Sequence, residues 1–304
     1  MTHPLVSVVL CCYNGEKFIK DQIDSLLNQT YPNLEIIISD DASTDITPQI
    51  LETYKSNQRI RLFLQPNNSG SSNNFDFAIH QAKGEYISFS DQDDIWLPRK
   101  IEKLYSAIGD SCLVYCDSEL INETGDKLDK KISELRIMYS GNKTTGFVFS
   151  NVVWGHAMMI NKKLLPSILP IPSEIPHDIW IAFKATTISG IKYLDQPLTF
   201  YRQHKSAATR TIAIKAKSRS RTKRYADFKK QLHWIEVMYK NERDEQKDFY
   251  DKLFSLYKRK QNGRYVWSLF FFLFRYRPEF FMFVKKKWFS QVVEIFKQAK
   301  GVTS

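Results

Sequence analysis

The 304-residue sequence has no G-x-G-x-x-G after its first apolar run and no G-x-x-x-x-G-K-[ST] anywhere. Both phosphate cradles are missing, which argues against a nicotinamide dehydrogenase and a P-loop NTPase. Cysteine is scarce, and Cys11, Cys12, Cys112 and Cys116 form neither a C-x-x-C pair nor an evenly spaced framework. A zinc site or a disulfide scaffold is therefore not expected, and the four read as reduced, buried thiols of a cytoplasmic protein. No stretch of eighteen uncharged apolar residues occurs, so no membrane-spanning helix is expected. The opening MTHPLVSVVLCCYNG lacks a basic n-region and a small-residue cleavage site, so its apolar run reads as a strand and not as a signal peptide. Negative charge runs out toward the end. Residues 1–204 carry 19 Lys/Arg against 24 Asp/Glu, whereas residues 205–304 carry 25 against 9. A mildly acidic body followed by a strongly basic tail predicts an anionic partner for the tail.

What is present is an alternation of apolar runs and amphipathic stretches. Residues 5–12 are nearly continuous in apolar, β-branched character, as in a strand covered on both faces. Phe18, Ile19, Ile23, Leu26 and Leu27 follow at helical spacing, Tyr31-Pro32-Asn33 breaks the helix, and residues 34–38 form a second apolar run. Further strands are predicted at 60–64, 85–90, 113–117, 191–194 and 198–201, with helices at 47–55, 73–82, 99–108 and 179–187. Residues 120–142 read as loop. The fold class is α/β, a parallel-type sheet flanked by helices, and the alternation stops just past residue 204.

Acidic residues collect where strands end. SFSDQDDIWLPRK (88–100) places Asp91, Asp93 and Asp94 directly after an apolar run, and SDDASTD (39–45) does the same with Asp40 and Asp41. Open α/β sheets bind ligands at that edge. Two carboxylates at i and i+2 can hold Mg²⁺ or Mn²⁺ together with a substrate diphosphate, which turns mutual repulsion into attraction. A loop that merely caps the helix starting near Pro98 accounts for the cluster equally well on spacing alone. Asp40 and Asp41 suit ribose or base contacts, while Ser43 or Asp45 caps the following helix.

The strand ending in Cys12-Tyr13-Asn14, the SDDASTD segment, the Asn-rich loop 67–74 and GEYISFSDQDDIWLPRKIEKL occur in an order and spacing that resemble family 2 glycosyltransferases of the GT-A fold. The resemblance covers about residues 5–205. It implies a Rossmann-like central mixed sheet, a GT-A catalytic domain over 1–210, and a helical basic-aromatic extension over 211–304. It further implies that Tyr13, Asn14, Asp40, Asp41, Asn73, Asp91 and Arg202 bind the nucleotide-sugar donor, and that Asp93, Asp91 and His204 hold a Mn²⁺ or Mg²⁺ ion. Asp178, in Pro176-His177-Asp178-Ile179-Trp180, matches the family's catalytic base, and Trp154, Gly155, His156, His177 and Trp180 lie in the region touching donor sugar and acceptor. Asn73-Asn74 stands where the family often has Arg-Asn, and no role is assigned to His156. The implied reaction is an inverting, metal-dependent transfer from dTDP-rhamnose or a UDP-hexose to a glycan or lipid-linked acceptor in bacterial cell-surface polysaccharide synthesis. A catalytically inactive sugar-nucleotide-binding module is the alternative, and so is a nucleic-acid-binding protein acting through the tail.

The tail interleaves aromatics and cations: KAKSRSRTKRYADFKK at 215–230, then RYVWSLFFFLFRYRPEFFMFVKKKWF. Its longest apolar stretch is too short to cross a bilayer, and it suits an in-plane helix on an anionic membrane. Packing on the catalytic domain or self-association is the competing reading. No recognisable nucleic-acid fold accompanies the tail, so nucleic acid is not expected as a partner. The expected location is the cytoplasmic face of the cell membrane, peripherally attached.

Overall fold

In a computed structural model of the chain, residues 3–204, 221–242 and 246–302 are described. The expected boundary near residue 210 and the start of the cation-rich stretch at 215 lie outside them.

Among the described residues, nine strands form one mixed sheet in the order β3-β2-β1-β4-β8-β6-β9-β5, with β7 paired to β6. They are β1 Val6–Cys12, β2 Leu34–Asp40, β3 Ile60–Leu64, β4 Tyr86–Ser90, β5 Ile95–Trp96, β6 Leu113–Ile121, β7 Lys127–Lys131, β8 Met158–Asn161 and β9 Ile191–Arg202. β1 sits between β2 and β4, parallel to both, and all seven of its residues are buried. That burial is why its sequence carries no polar alternation. α1 (Ile19–Leu27) turns Ile19, Ile23 and Leu26 inward, and α2 (Thr47–Glu52) and α3 (Ser71–Gln81) complete the first half. α4 (Lys100–Ile108) follows β5 and buries Ile101, Leu104 and Ile108. α5 (Ile132–Leu135), α6 (Leu165–Ile168) and α7 (His177–Thr186) lie in the second half.

Register sets the working edge. Leu10 pairs with both Ile38 and Ser90, and Cys12 with Asp40, so the loops after β1, β2 and β4 leave the sheet side by side. Antiparallel pairing of Ile95 with Phe200 and Trp96 with Thr199 then lays the loop after β4 alongside the end of β9.

Two expectations change. The predicted short strands at 191–194 and 198–201 are one continuous strand, β9, because register shifts around Asp117 accommodate Pro197 opposite it. Proline is tolerated at such a bulge, where the ladder is already interrupted. Residues 120–142 are not all loop: β6 runs on to Ile121, and the polar segment Lys127–Lys131 pairs back on it as β7. An exposed edge strand has no apolar face to bury, so it carries no periodic signal.

The chain divides into two compact units. Among the described residues, one comprises 3–134, 138–142 and 153–204; the other comprises 135–137, 143–152, 221–242 and 246–302. The second contains α8 (Arg221–Asn241), α9 (Lys247–Arg259), α10 (Trp267–Arg275), α11 (Arg277–Phe280) and α12 (Trp288–Gln298). In it α8 packs on α9, and α10 packs on α9 and α12. Among the described residues no helix is long and apolar enough to cross a membrane. Cys11, Cys12, Cys112 and Cys116 are all free and buried.

Candidate active site

The loop after β1 is tied to the loop after β4 by one side chain. The Gln92 amide accepts a hydrogen bond from the Tyr13 N–H (2.8 Å) and donates to the Tyr13 carbonyl (3.1 Å), mimicking a strand pair. Gly15 permits this: a Cβ there would stand 2.7 Å from Gln92 Oε1. The Tyr13 side chain is left 44% exposed. Asn14 adopts a left-handed φ of 50°, its N–H donating to Ser43 Oγ (2.8 Å) and its Oδ1 accepting from the Thr44 N–H (2.8 Å).

The acids after β2 organise the loops around them. Asp40 is buried and accepts from the Ser43 N–H (2.9 Å) and hydroxyl (2.5 Å). Asp41, also buried, accepts from the Ser69 N–H (2.9 Å) and the Gly70 N–H (2.8 Å), fixing the Asn-rich loop that starts α3. Asn73 is exposed and donates to the Ser69 carbonyl (2.8 Å), whereas Asn74 is buried and bridges to Ser39.

The acidic loop divides its three carboxylates between two histidines, with Arg202 adding a backbone N–H. Asp93 Oδ2 lies 2.7 Å from His204 Nε2. Asp94 is fully buried; its Oδ1 accepts from the Arg202 N–H (3.0 Å), and its Oδ2 lies 3.3 Å from His156 Nδ1. The same Nδ1 is 3.8 Å from Asp91 Oδ2, while His156 Nε2 meets the Ser118 hydroxyl at 3.0 Å. Asp91, Asp94 and His156 thus each offer a ligand atom within 4.8 Å of the others. Asp94 Oδ2 is a buried oxygen with no hydrogen-bond partner among the described residues. An orphaned buried carboxylate oxygen beside a second carboxylate and an imidazole nitrogen fits a divalent cation, and the mixed O/N set suits Mn²⁺ at least as well as Mg²⁺.

Electrostatics follow from this crowding. Burial, then Asp93 and Asp91, push the Asp94 carboxyl well above the usual carboxylate range. Burial also pushes Asp91 upward, but His156, His177 and Lys100 outweigh it and leave Asp91 below its ordinary value. His156 is lowered by burial, against the pull of Asp91. Beneath the cluster lies Lys100, which spacing alone would leave on a solvated helix face. It is fully buried, donates to the His156 carbonyl and to Thr199 Oγ1 (2.8 Å), and stands 3.4 Å from the Trp96 ring centroid. Burial pulls its ammonium down to about 7, opposed by Cys116, Asp94 and Asp91.

Arg202 is buried and holds the acidic loop through its backbone. Nε donates to the Asp93 carbonyl (2.8 Å) and Nη1 to the Glu123 carbonyl (3.0 Å), with Nη2 3.4 Å from Asp21 Oδ2. The start of α7 faces the same edge. His177 stacks on Phe75 (3.9 Å) and Phe89 (5.9 Å), and its Nε2 has no partner among the described residues. Gly155 makes room for it, since a Cβ there would lie 2.6 Å from His177 Nε2. Burial, opposed by Asp91, takes the His177 imidazole down to about 4. Asp178 follows in the first turn of α7, its Oδ1 accepting from the Ile179 N–H (2.7 Å). Trp180 is a core residue whose Nε1 donates to the Ile168 carbonyl (2.7 Å), and Trp154 is buried just before Gly155.

Sequence reasoning therefore singled out Tyr13, Asp40, Asp41, Asp91, Asp93 and His204, and the structure gathers these at one sheet edge. It leaves Asp94 open between the acidic cluster and a helix cap, assigns His156 no role, and passes over Gln92 and Lys100. The available signals were the third acid of DQDD and the histidine after Trp154-Gly155. Nothing local marks Lys100 as buried.

With this geometry in place, comparison with known proteins is decisive. The model of the family described as "Glycosyl transferase family 2" matches residues 7–169. The chain belongs to glycosyl transferase family 2. EpsH of Bacillus subtilis, named as a glycosyltransferase, is 32% identical over 224 residues, covering 68% of this chain and 63% of that protein. The chain therefore spans just under two thirds of that relative. The uncharacterized glycosyltransferase RT0329 of Rickettsia typhi is 30% identical over 217 residues, covering 68% and 67%. Among solved structures, S. aureus TarS (residues 1–349) in complex with UDP-GlcNAc aligns at a TM-score of 0.61 with 16% identity, over 97% of this chain and 81% of that one. The mannosyltransferase PcManGT of Pyrobaculum calidifontis, in complex with GDP-Man and Mn²⁺, aligns at 0.56 with 16% identity, over 83% and 69%. The expected GT-A fold, a mixed sheet flanked by helices with a helical C-terminal region, is the fold observed.

Proposed function

We propose that this chain transfers a sugar, with inversion, from a nucleoside-diphosphate sugar to a glycan or lipid-linked acceptor in bacterial surface-polysaccharide synthesis. Membership of family 2 supports glycosyl transfer. The teichuronic acid biosynthesis name carried by TuaG of Bacillus subtilis, 39% identical over 132 residues, supports a polysaccharide product. The observation that carries the reading is the meeting of Asp91, Asp94 and His156 beside Asp93 at the sheet edge where Tyr13, Asp40 and Asp41 also emerge.

In this reading Tyr13, exposed and held by Gln92, packs on the nucleobase, while Asp40, Asp41, Asn14 and Asn73 serve base and ribose. Asp40 and Asp41 already accept loop hydrogen bonds, two on each Oδ1, yet each Oδ2 accepts one and keeps acceptor capacity for a ribose hydroxyl. Asp91 and Asp94 with His156, and Asp93 with His204, are the residues that would hold a divalent cation and the donor diphosphate. When bound, the cation supplies Lewis-acid neutralisation of the charge that grows on the departing diphosphate. Arg202 and Lys100 hold the loop and the His156 backbone in place, and Arg202 presents positive charge beside the diphosphate. Asp178 takes the acceptor hydroxyl's proton, as a carboxylate in the first turn of α7 can once the hydroxyl is within hydrogen-bond reach. Trp154, Gly155, His156, His177 and Trp180 build the wall on the sugar and acceptor side.

The neighbours' complexes with UDP-GlcNAc and with GDP-Man and Mn²⁺ favour a nucleotide-sugar donor; the resemblance favours dTDP-rhamnose or a UDP-hexose. Residues 1–210 carry the chemistry and 211–304 the association, with the protein acting peripherally at the cytoplasmic membrane face. The test is release of nucleoside diphosphate from these donors with and without Mn²⁺. Release that depends on the cation and on Asp178 supports the reading; no donor binding or turnover across the panel overturns it.

A further inference from the structure

The C-terminal unit turns aromatic stripes outward. On α10, Trp267, Phe271 and Phe274 follow i, i+4, i+7 spacing, and on α12 Phe289, Val293 and Phe296 repeat it. These six side chains are between 36% and 73% exposed, whereas Leu269, Leu273 and Ile295 of the same helices are buried. The apolar face at helical spacing is thus doubled: one face packs α10 and α12 together, and a second is left in water. Large exposed apolar patches of this kind mark interaction sites.

The stripes form one patch. Trp267 lies 6.5 Å from Phe271 by ring centroids, and Phe270 lies 6.1 Å from Phe274. Phe296 of α12 reaches Phe270 at 6.4 Å, joining the two helices. Arg277 stands over both Phe274 (5.6 Å) and Trp288 (5.9 Å), placing a cation within the aromatic surface. Residues 264–302 hold eight Lys/Arg against two Asp/Glu, including the consecutive, exposed Lys285, Lys286 and Lys287 that lead into α12.

We propose that the outward aromatic stripes of α10 and α12, with the surrounding cations, form a surface that seats on an anionic lipid bilayer. The occupant follows from charge and depth. A second copy of this chain would bring the same cationic surface against itself, whereas anionic headgroups match it and leave Trp and Phe at the headgroup and acyl boundary. Neither helix can cross the bilayer, so the contact is in-plane. This rests on the function proposed above only in supplying a reason for the surface, namely access to a lipid-linked acceptor.

The experiment is flotation of the full chain with phosphatidylcholine vesicles, with and without about one third phosphatidylglycerol, at low and high salt. Salt-sensitive binding to the anionic vesicles alone is expected. Phe271→Ser with Phe289→Ser should lose that binding without a change in thermal midpoint, because both side chains are already in water. Replacing Lys285, Lys286 and Lys287 by Gln should weaken partitioning by about a hundredfold, at roughly fivefold per cation. Equal binding to neutral vesicles, no binding to either, or a Ser variant that floats like the parent overturns the proposal. So does a variant that floats normally while a dimer dissociates, since the surface then belongs to a second copy. Nucleotide-sugar binding measured on the same samples separates the two readings: its absence with intact flotation removes the proposed function and leaves the membrane surface standing.

Discussion

His177 offers a test of the site's packing that needs no substrate. Its ring stacks on Phe75 with Nε2 unpartnered among the described residues, and burial lowers its ordinary value of 6.5 to about 4. The unfolded chain therefore binds a proton between these values that the folded chain refuses, so ν_U exceeds ν_N and stability rises with pH through that window. Stability contributed by the neutral imidazole is fully present above about pH 6.5 and is lost as pH falls toward 4. From about pH 7.5 to about pH 5 the loss is about 2 kcal/mol, at about 1.4 kcal/mol per unit once the pH is below the unfolded value. His177→Phe keeps the stacked ring and removes the titration. Urea denaturation of both proteins at the two pH values should show the parent's midpoint falling further than the variant's, by roughly 1 M at an m-value of about 2 kcal/mol/M. At the higher pH the variant should be neutral to about 1 kcal/mol more stable, because an orphaned buried nitrogen is gone. Identical pH dependence in the two proteins would refute the reasoning.

Other expectations concern the proposed chemistry. Asp178→Asn should retain donor affinity while transfer falls by about 10²–10⁴-fold, as loss of a general base requires; kcat and donor KM measured separately would check it. Asp91→Asn should abolish the Mn²⁺ heat seen by calorimetry, and Asp93→Ala should abolish divalent-dependent turnover, so full activity in EDTA would count against the assignment. Gln92→Ala removes two hydrogen bonds to the Tyr13 backbone, each worth about 0.5–1.5 kcal/mol, and should weaken nucleotide binding by about 5–150-fold without changing the fold. An unchanged nucleotide Kd would show that Tyr13 needs no such support.

How much of this could be read from the sequence depended on how local each signal is. β1, β2 and β4 are buried on both faces, so their composition alone announces them, and the acids that follow inherit their position from strand register. The acid cluster was legible because like charges at a strand end need a compensating partner. β9 was read as two pieces because Asp195, Gln196 and Pro197 carry turn chemistry, and the register shifts that absorb them belong to a partner strand 74 or more residues away. Lys100 was not read as buried because a lysine at a helix start is ordinarily solvated; only the convergence of Trp96, Thr199 and the His156 carbonyl reveals otherwise. The pairing of His156 with Asp91 and Asp94 is equally non-local. In the C-terminal unit the interleaving of aromatics and cations is legible in the sequence, but not which face of each helix is covered, since the two faces of α10 are similarly apolar.

The central claim is a cation-dependent nucleoside-diphosphate-sugar site at the carboxyl edge of β1, β2 and β4, and a thermal-shift panel tests it most directly. The chain and its Asp91→Asn variant would be heated with UDP-, GDP- and dTDP-sugars, with Mn²⁺ or with EDTA. Ligand at about 100 times its Kd adds about 2.7 kcal/mol of apparent stability. One nucleotide-sugar class should raise the parent's midpoint with Mn²⁺, and the rise should vanish in EDTA and in the variant. An equal rise in all three conditions, or no rise with any donor, would contradict the account.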